Sequence, residues 1–284
     1  MALKAIDTHC HVISTDLKRY PRAPIGGRQS DWSRERPVDT AQMIAAMDAA
    51  GIAKSVLVQA STCYGHDNSY VADATAAHPD RFAAVFSADV LAPDARAVMT
   101  SWIDRGFTGI RLFTTGSTMA GQQLGWLDDP KSFPAWDYAI EANIPVCLQM
   151  TAAAIPQVVT LLERFPRARV ILDHCARPAL EDGPPYRAAQ SLWALAKYPN
   201  LYLKATPHTF HAARQGKASP ETFFRQAVAT FGAERILWGS NFPAHEGPLA
   251  ALLAEARQCF AALSEVDRDW IFARTAQALY PSLG

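Results

Sequence analysis

Several marks of common protein classes are missing from these 284 residues. The 27 basic and 27 acidic side chains balance, so no surplus charge favours nucleic acid or a membrane surface as a partner. No apolar run approaches the roughly 18 residues that span a bilayer, and we expect no signal peptide, because the first residues lack a basic segment followed by an apolar one. The five cysteines form no CxxC pair. We therefore expect a cytoplasmic protein with reduced thiols.

Short β-branched runs alternate with amphipathic stretches along the chain. The runs predict eight strands, at residues 4–9, 55–59, 83–88, 109–113, 145–150, 169–174, 201–205 and 236–239. Amphipathic stretches between and after them predict helices, among them one over 186–197. Asp39 and Ser219 stand where helix N-caps are expected, and Gly51 stands at a helix end.

This alternation predicts a (β/α)8 TIM-type barrel, as one domain over residues 1–284, because eight parallel βα units close naturally on themselves. A doubly wound open sheet is the alternative. Such a sheet typically has a glycine-rich phosphate loop after the first strand, and this sequence has none there.

The tripeptide His9-Cys10-His11 ends the first predicted strand. Residues two apart on a strand share a face, so Asp7, His9 and His11 are expected to form one polar row. Imidazoles are costly to bury unless they bind a metal, carry a proton or meet hydrogen-bond partners. The row indicates one wall of a reactive site, and a satisfied pair of core histidines is the alternative.

Further polar residues lie at the same end of other predicted strands. In a TIM barrel the active site is built at the carboxyl ends of the strands, so we expect these side chains to converge there. They are Arg111, Gln149, His174, Lys204 and Asn241.

Three motifs resemble those of the amidohydrolase superfamily: IDTHCHV at 6–12, LDHCARP at 172–178 and WGSNFP at 238–243. The resemblance is narrower to the amidohydrolase-related branch that contains the 2-pyrone-4,6-dicarboxylate lactonases and the sugar lactonases, and it runs over nearly the whole chain. It implies a (β/α)8 barrel and a hydrolytic site formed by His9, His11 and His174, with Asn241 as the fourth member. We expect a hydrolase that opens a small carboxylated or sugar-derived lactone.

One departure from the family pattern concerns the base. Most of the superfamily has aspartate where Asn241 stands, and an amide cannot take a proton from water. We therefore assign the base role to His174 and leave Asn241 to orient the water.

A second departure concerns metal. Metal-dependent members usually have a histidine at the end of strand five, where this chain has Gln149 or Met150. The amide oxygen of Asn241 is also a poor ligand. We expect no required metal; zinc or another divalent ion, where bound, would be held by His9, His11 and His174.

Substrate contacts are expected from charged and polar groups near the predicted site. Arg111 lies in an otherwise apolar strand, so it must meet either an anion, such as a substrate carboxylate, or a buried partner. Lys204 has the same two interpretations, and Arg177 is expected to be structural. The predicted set of substrate-binding residues is Arg111, Lys204, Gln59, His66 and Gln149.

Two other functions stay open. One is a metal-dependent decarboxylase or lyase of the same superfamily. The other is a catalytically silent ligand-binding barrel, for which Asn241 in place of aspartate is the main argument. In each case the expected partner is a small, anionic molecule, and the expected state is a monomer or a homodimer.

Overall fold

Eight parallel strands run through the computed structural model, which describes residues 4–114 and 125–284. Each strand pairs with the next one along the chain. The strands are β1 (Ile6–Cys10), β2 (Lys54–Val58), β3 (Phe82–Phe86), β4 (Gly109–Phe113), β5 (Val146–Gln149), β6 (Val170–Asp173), β7 (Leu201–Ala205) and β8 (Ile236–Trp238).

The two outer strands of this order meet just beyond their carboxyl ends. The His11 amide donates to the Phe242 carbonyl at 2.8 Å, and the Asn241 amide donates to the His9 carbonyl at 2.7 Å. The ring of strands therefore closes into a barrel, as the alternating pattern predicted.

Helices fill the connections. They are α1 (Asp31–Glu35), α2 (Thr40–Ala50), α3 (Ser61–Tyr64), α4 (Ser69–Ala77), α5 (Ala95–Asp104), α6 (Phe133–Glu141), α7 (Ile155–Arg164), α8 (Gln190–Trp193), α9 (Pro207–Ala212), α10 (Pro220–Phe231), α11 (Leu249–Cys259), α12 (Glu265–Asp269) and α13 (Thr275–Leu279). A π-helical turn over Trp270–Arg274 joins the last two helices. Along the stretches that the structure describes, no helix combines the length and apolar character needed to cross a membrane.

The predicted helix over 186–197 is instead a series of short turns. A 3₁₀ turn (Arg187–Ala189), α8 and a second 3₁₀ turn (Ala194–Lys197) follow one another. Tyr186 precedes them in the left-handed region at φ 55°, and no side chain caps the first turn. The segment therefore lacks the side-chain cap with which α2 and α10 begin.

Helix α2 starts and ends at the predicted residues, and α10 starts at its predicted residue. The Asp39 side chain accepts from the Gln42 amide at the start of α2, and Gln42 reaches back to the Asp39 amide. Ser219 caps α10 in the same way through the amide of Thr222. Gly51 ends α2 at φ 70°, a conformation that costs a residue without Cβ little.

The interior of the barrel is filled by aliphatic side chains, and its bottom is closed by the C-terminal segment. Val56, Val85 and Leu237 from the strands pack in one cluster with Leu279 and Tyr280. This closure lies at the amino ends of the strands, since the Tyr280 ring approaches Gly109, the first residue of β4. The opposite end is left for the polar residues.

Candidate active site

A cavity of about 230 Å³ lies at the carboxyl ends of the strands. It is smaller than the roughly 300–1,000 Å³ typical of drug-sized ligands, so it suits a small molecule. Five of the predicted site residues line it together: His11, Arg111, Gln149, His174 and Asn241. No Asp or Glu side chain is among the described residues on its wall.

His9 lies behind the cavity wall and is fully buried. Its ring centroid is 5.1 Å from that of His11 and 5.3 Å from that of His174. Its Nε2 has no hydrogen-bond partner among the described residues. Glycine at 239 makes room for this ring, because a Cβ there would stand 2.5 Å from the Cβ of His9.

The two histidines on the cavity wall are held through their Nδ1 atoms. The Nδ1 of His11 lies 2.7 Å from the Val58 carbonyl oxygen, which can only accept, so Nδ1 carries the proton there. The Nδ1 of His174 lies 2.8 Å from the Thr206 hydroxyl. Each ring therefore keeps Nε2 for a ligand, a proton or water.

A left-handed turn after β6 places two side chains on the same wall. His174, Cys175, Ala176 and Arg177 have φ values of 56°, 52°, 59° and 47°. Each such residue costs roughly 1–2 kcal/mol relative to the right-handed form. Backbone strain of this kind collects at functional sites, and here it brings His174 and Arg177 into one cavity.

Below the cavity, three charged side chains form a buried ion cluster. Asp173 pairs with Arg111 at 2.7 Å and with Lys204 at 2.9 Å. Burial alone would raise the pKa of the Asp173 carboxyl, but Lys204 and Arg111 hold it well below its usual range. Burial would likewise lower the pKa of Lys204, yet Asp173 raises it. All three groups are therefore charged at neutral pH.

The histidines beside this cluster are neutral at pH 7. Burial, and secondly the Arg111 charge, lower the pKa of His11 to about 4. Burial also lowers the pKa values of His9 and His174 well below the usual 6.5. A neutral imidazole is the form that accepts a proton or binds a metal.

Comparison with known proteins places the chain in a family. Residues 6–282 match the amidohydrolase family model. The chain belongs to this family. It is thus an amidohydrolase, a hydrolase built on a (β/α)8 barrel.

Relatives of this amidohydrolase include a lactonase. L-fucono-1,5-lactonase from Burkholderia ambifaria is 29% identical over 217 residues, which are 74% of this chain and 73% of that protein. A putative 2-pyrone-4,6-dicarboxylic acid hydrolase from Pseudomonas putida has the same fold, with a TM-score of 0.79, 23% identity and coverage of 99% of both chains. So does a manganese-bound dihydroxybenzoic acid decarboxylase from Polaromonas (TM-score 0.68, 18% identity, coverage 98% of this chain and 97% of that one).

The donor set of this amidohydrolase is chemically suited to a divalent ion. The three imidazoles are neutral, the His9 Nε2 has no other partner among the described residues, and His11 and His174 are fixed through Nδ1. His9, His11 and His174 would hold the ion. In the described part of the chain, His211, His245 and Glu255 form the one group of three whose ligand atoms all lie within 4.8 Å of one another. The ligand atoms of His9, His11 and His174 are therefore more widely spaced than this. Asn241 adds no carboxylate.

The remaining predicted contacts are placed apart from the cavity. Lys204 is fully buried against Asp173, which is the structural pairing that was its second interpretation. The Gln59 amide donates to the carbonyls of Gly65 and Asp67, so it holds the loop after β2. His66 lines a neighbouring cavity of about 210 Å³, which shares Arg111 with the first.

Three further side chains of the cavity wall were not among the predicted contacts. Arg177 lines the cavity, and its Nε is buried with no hydrogen-bond partner among the described residues. Burial lowers the pKa of this guanidinium, and the nearby Arg111 charge lowers it further. The ring centroid of Trp32 lies 5.2 Å from that of His11. The ring centroid of His208 lies 4.8 Å from that of His174. The sequence signals were the position of Arg177 in the motif LDHCARP, and the positions of Trp32 and His208 after the first and seventh predicted strands, on the active face of a barrel.

Proposed function

We propose that this amidohydrolase opens a small lactone that carries a carboxylate or derives from a sugar acid. The observation that carries the proposal is the content of the cavity wall: neutral His11 and His174 beside the cations Arg111 and Arg177. An anionic substrate would relieve the repulsion between the two guanidinium groups. The lactonase relative supports the same reaction class.

In the proposed reaction, His174 acts as the general base through Nε2. It takes a proton from water while the water oxygen attacks the lactone carbonyl carbon. The ring ester C–O bond of the tetrahedral intermediate then breaks, and His174 returns the proton to the leaving alkoxide. The product is a hydroxy acid, and the histidine is neutral again.

The other wall residues position the reactants. Asn241 lies on the cavity wall with His11 and His174, and in this proposal its side chain orients the water between them. Arg111 and Arg177 balance the substrate carboxylate and the charge that develops on the carbonyl oxygen. In the alternative with a bound metal, a divalent ion held by His9, His11 and His174 would supply Lewis-acid polarisation of the carbonyl, and His174 would then be a ligand and not the base.

A second candidate is decarboxylation of an aromatic acid. The three-imidazole donor set favours it, together with the likeness in fold to a manganese-bound decarboxylase. Asn241 disfavours it, because the strand-eight carboxylate of the metal-dependent pattern is missing.

The first experiment is a pH-indicator screen of purified protein against carboxylated, sugar-derived and neutral lactones, with and without chelator. We expect acid release that survives chelation and is lost in His174→Gln. Activity restored only by added Zn²⁺ or Mn²⁺ would make the ion essential. Carbon dioxide release from dihydroxybenzoates without lactone hydrolysis would favour the second candidate, and silence in both assays would leave a binding barrel.

The charge of the substrate is tested with Arg177→Gln. We expect a ten- to hundredfold rise in KM for carboxylated lactones, since a charged hydrogen bond contributes about 1.5–3 kcal/mol. KM for neutral lactones should stay unchanged. Arg225→Gln, at an exposed pair with Glu221, is the matched control. An equal effect on both lactone classes would contradict a carboxylate-binding role.

A further inference from the structure

A second group of donor side chains lies on the rim of the barrel, outside the cavity wall. His211 comes from α9, His245 from the loop after β8, and Glu255 from α11. One ligand atom of each lies within 4.8 Å of the others. The His211 Nε2 is 3.4 Å from the Glu255 Oε1, and the two histidine ring centroids are 5.0 Å apart.

We propose that His211, His245 and Glu255 bind one divalent transition-metal ion of the zinc class. Two imidazoles and one carboxylate form a donor set that zinc accepts, with water in the fourth position. Zn–N and Zn–O bonds of about 2.1 Å place tetrahedral ligand atoms roughly 3.4 Å apart, so small side-chain rotations would complete the set. This inference does not depend on the proposed lactone chemistry.

The accessibility of the group suits an ion that enters from solvent. The His211 side chain is 52% exposed and that of Glu255 is 21% exposed, so bound water can complete the coordination.

A neighbouring cation shares the carboxylate without blocking it. The Arg214 Nη1 lies 2.5 Å from the Glu255 Oε1, and its Nη2 contacts the Cys259 sulfur at 3.3 Å. The His211 contact also falls on Oε1, and a small rotation of the carboxylate would offer Oε2 to the ion while Arg214 stays on Oε1. A carboxylate has enough lone pairs to accept an arginine on one oxygen and an ion on the other.

An ion at this place would tie together three segments that support the cavity. His208, one turn before His211 on α9, lines the cavity, and so does Ala244, which precedes His245. The His245 amide also donates to the Asn241 carbonyl at 2.8 Å. Since the ion binds only the folded arrangement, it should raise the thermal stability of the protein.

The test is metal binding by the chelator-stripped full-length protein. Zn²⁺ is titrated by calorimetry and Co²⁺ by its visible absorption, with wild type compared against the double variant His211→Asn/His245→Gln. We expect the double variant to bind one equivalent fewer, each single variant to bind that equivalent at least tenfold more weakly, and Zn²⁺ to raise Tm less in the double variant than in wild type. His78→Gln, at the end of α4, is the matched control and should behave as wild type.

The barrel histidines are separated from the rim by a third variant. In His174→Gln the rim equivalent and its Tm rise should persist. The proposal is wrong if the double variant, folded by circular dichroism, keeps the stoichiometry and affinity of wild type. It is also wrong if His174→Gln removes every bound equivalent, or if wild type binds no ion below millimolar concentrations.

Discussion

Burial decides the protonation state of the catalytic candidates at the scale of the single residue. The His174 pKa lies well below 6.5, chiefly because burial disfavours the imidazolium and secondly because His9 is close. Lowering this pKa keeps the base form present as the pH falls. The rate should therefore not follow the titration of an ordinary histidine.

For His174 we expect kcat/KM to stay flat from about pH 6 to 8 and to fall only in stronger acid. His174→Gln should lower kcat by roughly 10²–10⁴, the range for loss of a general base. Thr206→Val removes only the Nδ1 partner and should cost less. Full pH–rate profiles of the three proteins check this. A break near pH 6.5 in wild type would contradict a base whose pKa is lowered by burial.

Asn241→Asp tests whether the amide belongs to the mechanism. A carboxylate beside His11 would favour its protonated form and repel an anionic substrate. We expect kcat/KM for carboxylated lactones to fall at least tenfold, with much of the loss in KM. Steady-state kinetics on carboxylated and neutral lactones separate the two causes. A gain of orders of magnitude would instead show that Asn241 occupies the place of a missing base.

The residue types of the site could be predicted from the sequence, but the direction of each side chain could not. His11, His174 and Asn241 follow strand ends, and strand ends meet at one face of the barrel. Lys204 has the same position in its strand, yet its amine pairs with Asp173 inside the barrel. Pairing of this kind depends on register across strands, which one sequence does not display.

At the scale of the element, the Arg111–Asp173–Lys204 cluster joins β4, β6 and β7 inside the barrel. Asp173→Ala would leave two buried cations without their partner, so we expect a loss of about 3–5 kcal/mol in the free energy of unfolding. Glu141→Ala, which breaks an exposed pair with Arg96, should cost under about 1 kcal/mol. Denaturant titration of each variant measures both losses.

The pH dependence of that loss follows from the two pKa shifts. The pKa of Asp173 is lowered on folding, so its stabilisation is present above 3.8 and disappears as the pH falls through the lower folded value. The pKa of Lys204 is raised, so its stabilisation is present below 10.5 and disappears as the pH rises through the higher folded value. The difference between wild type and Asp173→Asn, the milder variant, should be constant from about pH 5 to 9. A difference that vanishes within this range would contradict the cluster as the cause.

The turn after β6 marks the limit of prediction for an element. A continuous apolar run predicted the strand to within a residue of its observed ends, because burial on both faces dictates that pattern. It carried no sign of four consecutive left-handed residues without glycine, since the surrounding contacts and not local preference hold them there. For the same reason Arg177 was expected to be structural, although it lies on the cavity wall.

In the barrel as a whole, the residues that close the bottom and the residues of the candidate site lie at opposite ends of the axis. The alternation of strands and helices predicted this architecture, because it depends on composition and period alone. The closure by the C-terminal segment was less visible, since residues 265–279 appeared only as one more amphipathic stretch. Tyr280 lies at the amino ends of the strands, where it is fully buried, and its hydroxyl oxygen is 3.6 Å from the Cys147 sulfur.

Tyr280→Ala tests this separation. Removing a buried aromatic ring should cost about 3–5 kcal/mol, and Tm should fall by on the order of 10 °C. Because the ring lies at the end opposite the cavity, kcat and KM measured well below the transition should stay within about twofold of wild type. Leu17→Ala, at a side chain that is 60% exposed, is the control and should leave both stability and kinetics unchanged. A many-fold change in KM for folded Tyr280→Ala would show that the two ends are coupled.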